Sequence, residues 1–296
     1  MKRPTFFIPL IILLLAAMAC NLPWQGTPEA TEVIIETDVV TEEPTEAVTE
    51  EPTEEQTETP YTCPANTNQA MAFSVEFCYP SSLFSGFSQT MVAENPPSPD
   101  SPIWGVNPDM IEITFTGYAV DNLYHDPQVF IYPVDDLVAL DPLYQDTVNN
   151  LISLLQAQPQ YTDGIPHLPI YNAAQIMRAK ISYFDFRNGS GVRYITQYGQ
   201  GVGPISNDSA IYAFIGLTTD QQYIISATFP VQHPLFAPDI MTEPTEGYEV
   251  FAQNFETYLD NMEMDLDAES PDSFTPNLTP LDEMMASFMV PAGTIP

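Results

Sequence analysis

Positive charge is what this sequence lacks most. Six Lys and Arg stand against 40 Asp and Glu in 296 residues, a formal net charge of -34. A field of that sign repels nucleic acid and anionic lipid headgroups, so a nucleic-acid role is excluded. Histidine is scarce too: His125, His167 and His233 lie far apart in "YHDPQ", "IPHLP" and "VQHPL". No ligand spacing of the kind zinc needs is present, and proline beside or near each histidine reads as an exposed loop. Only one long apolar run exists, Phe6 to Ala19, shorter than the ~20 residues of a spanning helix and interrupted by Pro9. No G-x-S-x-G elbow marks a serine nucleophile. The glycines of "YGQGVGP" lead into Pro204 and a strand instead of a helix N-terminus, so they read as a connection between hairpins and not as a phosphate cradle.

At the start of the chain, charge and hydrophobe come in a set order. Lys2 and Arg3 precede the apolar run, the arrangement of a secretory signal over residues 1–19. The run ends in "AAMAC", with small Ala19 directly before Cys20, which resembles the lipobox of bacterial lipoproteins cut by signal peptidase II. The resemblance covers the first 21 residues. It implies that Cys20 becomes the new first residue, with its sulfur diacylglyceryl-modified and the membrane as its partner. Ala17 stands where the family usually has Leu, and Met18 is uncommon there. The same Ala17-Met18-Ala19 also suits the ordinary signal peptidase, which would leave Cys20 a free thiol in a secreted protein. With Cys20 acylated, Cys63 and Cys78 remain as a pair, and their disulfide would contribute on the order of 3 kcal/mol. Two separate buried thiols are the alternative.

Residues 20–60 read as an acidic linker. From Thr27 to Pro60 the segment holds twelve acids, no base and no aromatic residue, with repeats such as "TEEPTEAVTEEPTEEQTETP". Low hydrophobicity with charge of one sign leaves too little burial to offset chain entropy, so the expected state is a disordered spacer between a lipid surface and a domain.

Residues 61–296 are long enough for one substantial core or two small ones; no second linker divides them, so a single domain is expected, and period-2 runs dominate it. "AFSVEFCYP" puts Phe73, Val75, Phe77 and Tyr79 on one face of a strand. Further strands are expected at Ser88 to Ala93, Met110 to Gly117 and Gln128 to Val134. Asp141 is an N-cap candidate ahead of Pro142, with Leu143, Thr147, Leu151 and Leu154 or Leu155 on one helix side. Two hairpins follow, one turning at "NGSG" and one around Thr219 and Asp220. Helices are expected over Glu246 to Met262 and from Thr279, as N-cap, through Phe288. The expectation is an α+β domain, a largely antiparallel sheet of hairpins with two or three helices packed on it. That order resembles the photosystem-associated PsbP type of α/β/α sandwich, an analogy of architecture that implies no activity.

Two charged stretches are candidate sites. "MRAKISYFDFRNGSGVRY" holds Arg178, Lys180, Arg187 and Arg193, every base after residue 3. With Gly189 and Ser190 as turn residues, Arg178 and Lys180 share a face, while Arg193 lies roughly 20 Å from Lys180 at about 3.3 Å per residue. An anion site would then centre on Arg178 and Lys180; the alternative is charge balance with the surplus acids. "DNMEMDLDAE" gathers Asp260, Glu263, Asp265 and Asp267 at a helix C-terminus, where negative charge is unfavourable and Ca²⁺ would relieve it. The spacing of a dedicated calcium loop is missing, and solvated acids are the alternative. Without a catalytic constellation, the functional expectation is a non-catalytic binding or envelope-associated module on the outer side of a membrane, for a small ligand or an envelope protein. The runner-up is an extracytoplasmic hydrolase, whose mark would be a converged Ser, His and Asp set.

Overall fold

The computed structural model describes residues 61–99 and 102–295. The expected signal peptide 1–19, the lipidation site Cys20 and the linker 20–60 lie outside the described residues. In chain order, β1 (Thr67–Ala72) and β2 (Val75–Pro80) form a hairpin, and β3 (Gly86–Val92), β4 (Met110–Thr116) and β5 (Gln128–Pro133) form a meander. Helices α1 (Val134–Leu140) and α2 (Pro142–Ala157) follow, then β6 (Ala174–Gln175), β7 (Ala179–Phe186), β8 (Gly189–Thr196), β9 (Tyr198–Gly199), β10 (Ile211–Thr218) and β11 (Tyr223–Pro230). Helices α3 (Tyr248–Gln253), α4 (Phe255–Ala268) and α5 (Thr279–Ala286) close the chain.

Seven strands make one sheet in the order β3-β4-β5-β11-β10-β8-β7, every neighbouring pair antiparallel. Both of its faces are covered. Against one face lie the β1-β2 hairpin, Met262 and Leu266 of α4, and Leu281, Met284 and Met285 of α5. Against the other lie Val134 and Leu137 of α1, and Tyr144, Val148, Leu151 and Leu154 of α2. That double burial explains why "IYAFIGLT" and "YIISATFP" read as continuous apolar runs instead of alternating: Ile211, Ala213 and Ile215 face one layer, Tyr212 and Phe214 the other. The α+β architecture expected from the sequence is therefore what the chain forms.

Cys63 and Cys78 are joined in a disulfide with Cα atoms 5.8 Å apart, tying the entry of the domain to β2. Beside it, Phe77 stacks on Phe288 at 4.8 Å and 8°, a pairing of order 1 kcal/mol beyond its burial.

Several local expectations are corrected. The first long hairpin turns at Arg187 and Asn188, with Phe186 opposite Gly189 and Ser182 opposite Arg193. The glycines sit in the strand because rings lie across them: a Cβ on Gly189 would meet Phe186 at 2.2 Å, and one on Gly191 would meet Phe214 at 2.2 Å. Phe73 is a turn residue at φ 51° and is exposed, because the β1-β2 hairpin closes there. The buried stripe of α2 runs through Tyr144 and Val148, one position on from Leu143 and Thr147, since the Tyr144 hydroxyl donates to the Val106 carbonyl at 2.5 Å. The expected helix over Glu246 to Met262 is interrupted at Asn254 and continues to Ala268. Thr279 is the first helical residue of α5, and its N–H donates to Asn277 Oδ1.

Candidate functional site

Four connections leave the same end of the sheet: residues 117–127 after β4, 158–173 after α2, 200–210 after β9, and 231–247 after β11. Between them is an open cleft of about 450 Å³, walled by Tyr124, His125, Tyr171 and Tyr198, with the amides of Asn172, Gln197 and Gln200, the Ser209 hydroxyl and Ile240.

Local hydrogen bonds set each wall residue. Asn122 Oδ1 accepts from the N–H groups of Tyr124 and His125 at 2.9 and 3.1 Å, a side-chain turn that presents both rings together. The Leu123 N–H donates to the Asp208 carbonyl, and the Ile240 N–H to Asp208 Oδ2, so two connections are held on one residue. The Gln175 amide bonds both main-chain groups of Ile165, at 2.9 and 3.2 Å, and donates to the Tyr198 hydroxyl at 3.1 Å. Ser226 Oγ fixes the same loop by donating to the Leu168 carbonyl at 2.5 Å. The rings then pack in sequence: His125 on Tyr171 at 5.0 Å, Tyr171 on Tyr198 at 4.7 Å, and His167 behind them at 5.4 Å from Tyr171.

This wall carries no formal charge. Burial lowers the His125 pKa to about 4, against the opposing pull of Asp126. Burial, and then His125 itself, lower His167 to about 3. Burial pushes the Tyr171 hydroxyl up to about 12, and Tyr198 is raised for the same reason. His167 Nδ1 lies 3.0 Å from the Tyr194 hydroxyl and Nε2 3.5 Å from Thr228 Oγ1. Chemically the arrangement offers aromatic faces and the amides of Asn172 and Gln200, whereas Gln197 Oε1 and Ser209 Oγ are bonded to each other and to Ser206 within the wall. It offers no group poised to gain or lose a proton near neutral pH.

The histidines correct one expectation. His167 and His233 are buried, at 8% and 4% exposure, because their loops fold back over the sheet and α4 end. His233 also meets a serine, with Nε2 at 3.0 Å from Ser273 Oγ. Its Nδ1 accepts the Leu235 N–H, however, so the ring proton sits on Nε2 and points at Ser273, whose own proton goes to the Ser270 carbonyl at 2.8 Å. The polarity is the reverse of what an activated serine needs.

The basic hairpin is drawn into internal contacts. The Arg178 N–H donates to Glu263 Oε1 at 2.7 Å, and its guanidinium lies 3.9 Å from the same carboxylate. Lys180 adopts φ 57° at a bulge; its N–H donates to Asp267 Oδ1 at 2.5 Å and its ammonium to the Glu269 carbonyl at 2.7 Å. A base there opposes the negative end of α4, while burial lowers its pKa, as does Arg193. Arg193 is not 20 Å from Lys180: its guanidinium donates to the Lys180 carbonyl and grips Asp282 with two bonds of 3.0 Å. Tyr212 donates to the same carboxylate at 2.9 Å. Of the proposed anion pair, Lys180 lines a polar cleft of about 340 Å³ with Arg193, Tyr161 and Asp267, and Arg178 does not. Of the calcium candidates, Glu263 and Asp267 reach β7, and Asp260 and Asp265 are exposed. Among the described residues no three His, Cys, Asp or Glu side chains gather to hold a metal ion.

No known protein family, no curated protein and no solved structure matches the chain.

Proposed function

We propose that this chain is a lipid-tethered, extracytoplasmic binding module whose cleft takes a small, uncharged polar ligand. In this reading the lipid on Cys20 anchors the chain, the acidic linker over residues 20–60 sets the domain off the surface, and the ring-walled cleft does the recognising. The observation that carries the ligand class is the wall itself, where rings and the amides of Asn172 and Gln200 converge with no charged side chain lining the cleft. Apolar surfaces with a few placed polar groups are the usual build of a small-molecule site. The one Ser–His hydrogen bond among the described residues, His233 with Ser273, has the reverse polarity and gives the hydrolase alternative no support.

Two measurements test the two halves. Intact mass of protein extracted from its native membrane should show a diacylglyceryl addition on a chain starting at Cys20; an unmodified mature chain would sink the tether. For the cleft, protein with ¹³C-labelled tyrosine rings is titrated with a set of uncharged polar fragments. Resonances of Tyr124, Tyr171 and Tyr198 should shift together, and Tyr198→Ala should abolish the effect. Shifts confined to tyrosines elsewhere, or none at millimolar concentration, would remove the cleft as a site.

A further inference from the structure

The cleft does not end at its own rim. A second depression shares Asn172, Ala173, Gly199 and Gln200 with it and extends to Ile176 and Phe255. A third shares Ile240 with the first and Val202 with the second, and extends to Met241 and Tyr248. All three meet around the segment 199–204. That segment is a low ridge because of its composition: a Cβ on Gly201 or Gly203 would find nothing within 4 Å, and neither has a positive φ. These glycines are therefore not required by the turn or by packing. Their effect is to leave Gln200, Val202 and Pro204 as the side chains of the crest between the depressions. The apolar rim is wide open, with Tyr124 at 62%, Met241 at 80% and Tyr248 at 60% exposure. Only one charged side chain, Glu243, lines any of the three depressions.

We propose that the ligand is a neutral oligosaccharide that occupies the Tyr124–Tyr198 cleft with one sugar unit and crosses the low, glycine-rich ridge with the next ones. The inference rests on the cleft reading above and names its ligand. Sugar rings have apolar C–H faces that lie on aromatic rings, and vicinal hydroxyls that pair with groups holding a donor and an acceptor side by side. Asn172 and Gln200, which line both the first and the second depression, carry groups of that kind, with Gln200 Nε2 giving one of its two hydrogens to the Asn172 carbonyl at 2.6 Å. An uncharged ligand also meets no penalty from a domain with 28 acids and four bases. A peptide would instead be held by a row of main-chain groups along a strand edge, whereas the first cleft is walled by rings and side-chain amides, and Phe255 and Tyr248 stand at the far ends of the other two depressions.

The test is titration of ¹³C-tyrosine protein with malto-, cello- and chito-oligosaccharides of one to four units, with tetra-alanine as the peptide probe. In at least one series affinity should rise tenfold or more from one unit to three. Gly201→Leu, which has open space for its side chain, should erase that gain while leaving the single sugar bound as before. Binding that does not depend on length, or a length gain that survives Gly201→Leu, would overturn the trench and leave the cleft. If tetra-alanine or uncharged fragments shift the cleft tyrosines and no sugar does, the saccharide assignment falls and the cleft stands. If nothing shifts them, both fall.

Discussion

Tyr132 carries its hydroxyl into the core. Among the described residues its oxygen is the one buried side-chain polar atom without a hydrogen-bond partner, and burial raises its pKa well above the ordinary phenol value. A buried hydroxyl that makes no bond costs free energy, so Tyr132→Phe should stabilise the domain by about 1 kcal/mol in urea unfolding. A loss of similar size would mean the hydroxyl is paired. His167 makes the opposite kind of demand. Its folded pKa is about 3 against about 6.5 in an unfolded chain. Above that unfolded value the imidazole is neutral in both states and its contribution is complete. Below it the unfolded chain takes up the proton first, so stability is lost progressively toward pH 3. Unfolding midpoints at about pH 7 and about pH 4.5 should show this fall, and His167→Gln should show a smaller one; equal falls would rule His167 out as the cause.

At the scale of elements, α2 depends on its cap. Asp141 accepts the Leu143 N–H at 2.8 Å, with Pro142 at the first helical position. Asp141→Ala should cost about 1 kcal/mol, read from thermal unfolding; no change would mean that packing alone starts the helix. This cap was legible in the sequence because it is local, as was the second hairpin, whose turn spans residues 219–222. The face of α2 was less so. Both stripes contain Leu151 and Leu154, and the choice fell to Tyr144, whose hydroxyl needs a carbonyl 38 residues away. "NGSG" misled for a similar reason: glycine signals a turn locally, but here Phe186 and Phe214 require flat strand beneath them. The cleft was hidden altogether. "LYHD" and "IYN" put rings in loops and "TQYG" puts one in the two-residue β9, and only the sheet order brings those segments to one end. The aromatic residues in proline-flanked loops were the available signal, and it says nothing about which rings meet.

For the whole molecule, charge is the dominant quantity. The four bases of the described residues are all engaged inside the fold: Arg178 with Glu263, Arg187 with Glu76, Arg193 with Asp282, and Lys180 at the end of α4. Among the described residues the other acids far outnumber these four bases. Self-repulsion of that kind is screened by salt, so raising NaCl from about 20 mM to about 500 mM should raise the unfolding midpoint. A falling midpoint would show that the few ion pairs outweigh the repulsion. The bound sugar of the proposed trench should be insensitive to the same change in salt.

The Cys63–Cys78 bridge also decides how the domain bears a pull. Tension applied through the chain ahead of Tyr61 arrives next to β1, which pairs with β2 alone. Loaded directly, that strand would peel away one bond at a time, at low force. The disulfide diverts the load to Cys78. There the main chain is bonded to Ser287 at 2.8 Å, and the next ring, Phe77, lies flat on Phe288. Force therefore enters β2 together with the segment that follows α5, and β1 lies outside the load path. A domain held against flow by its amino end would keep its shape under drag that, with the bridge reduced, unzips it from that end.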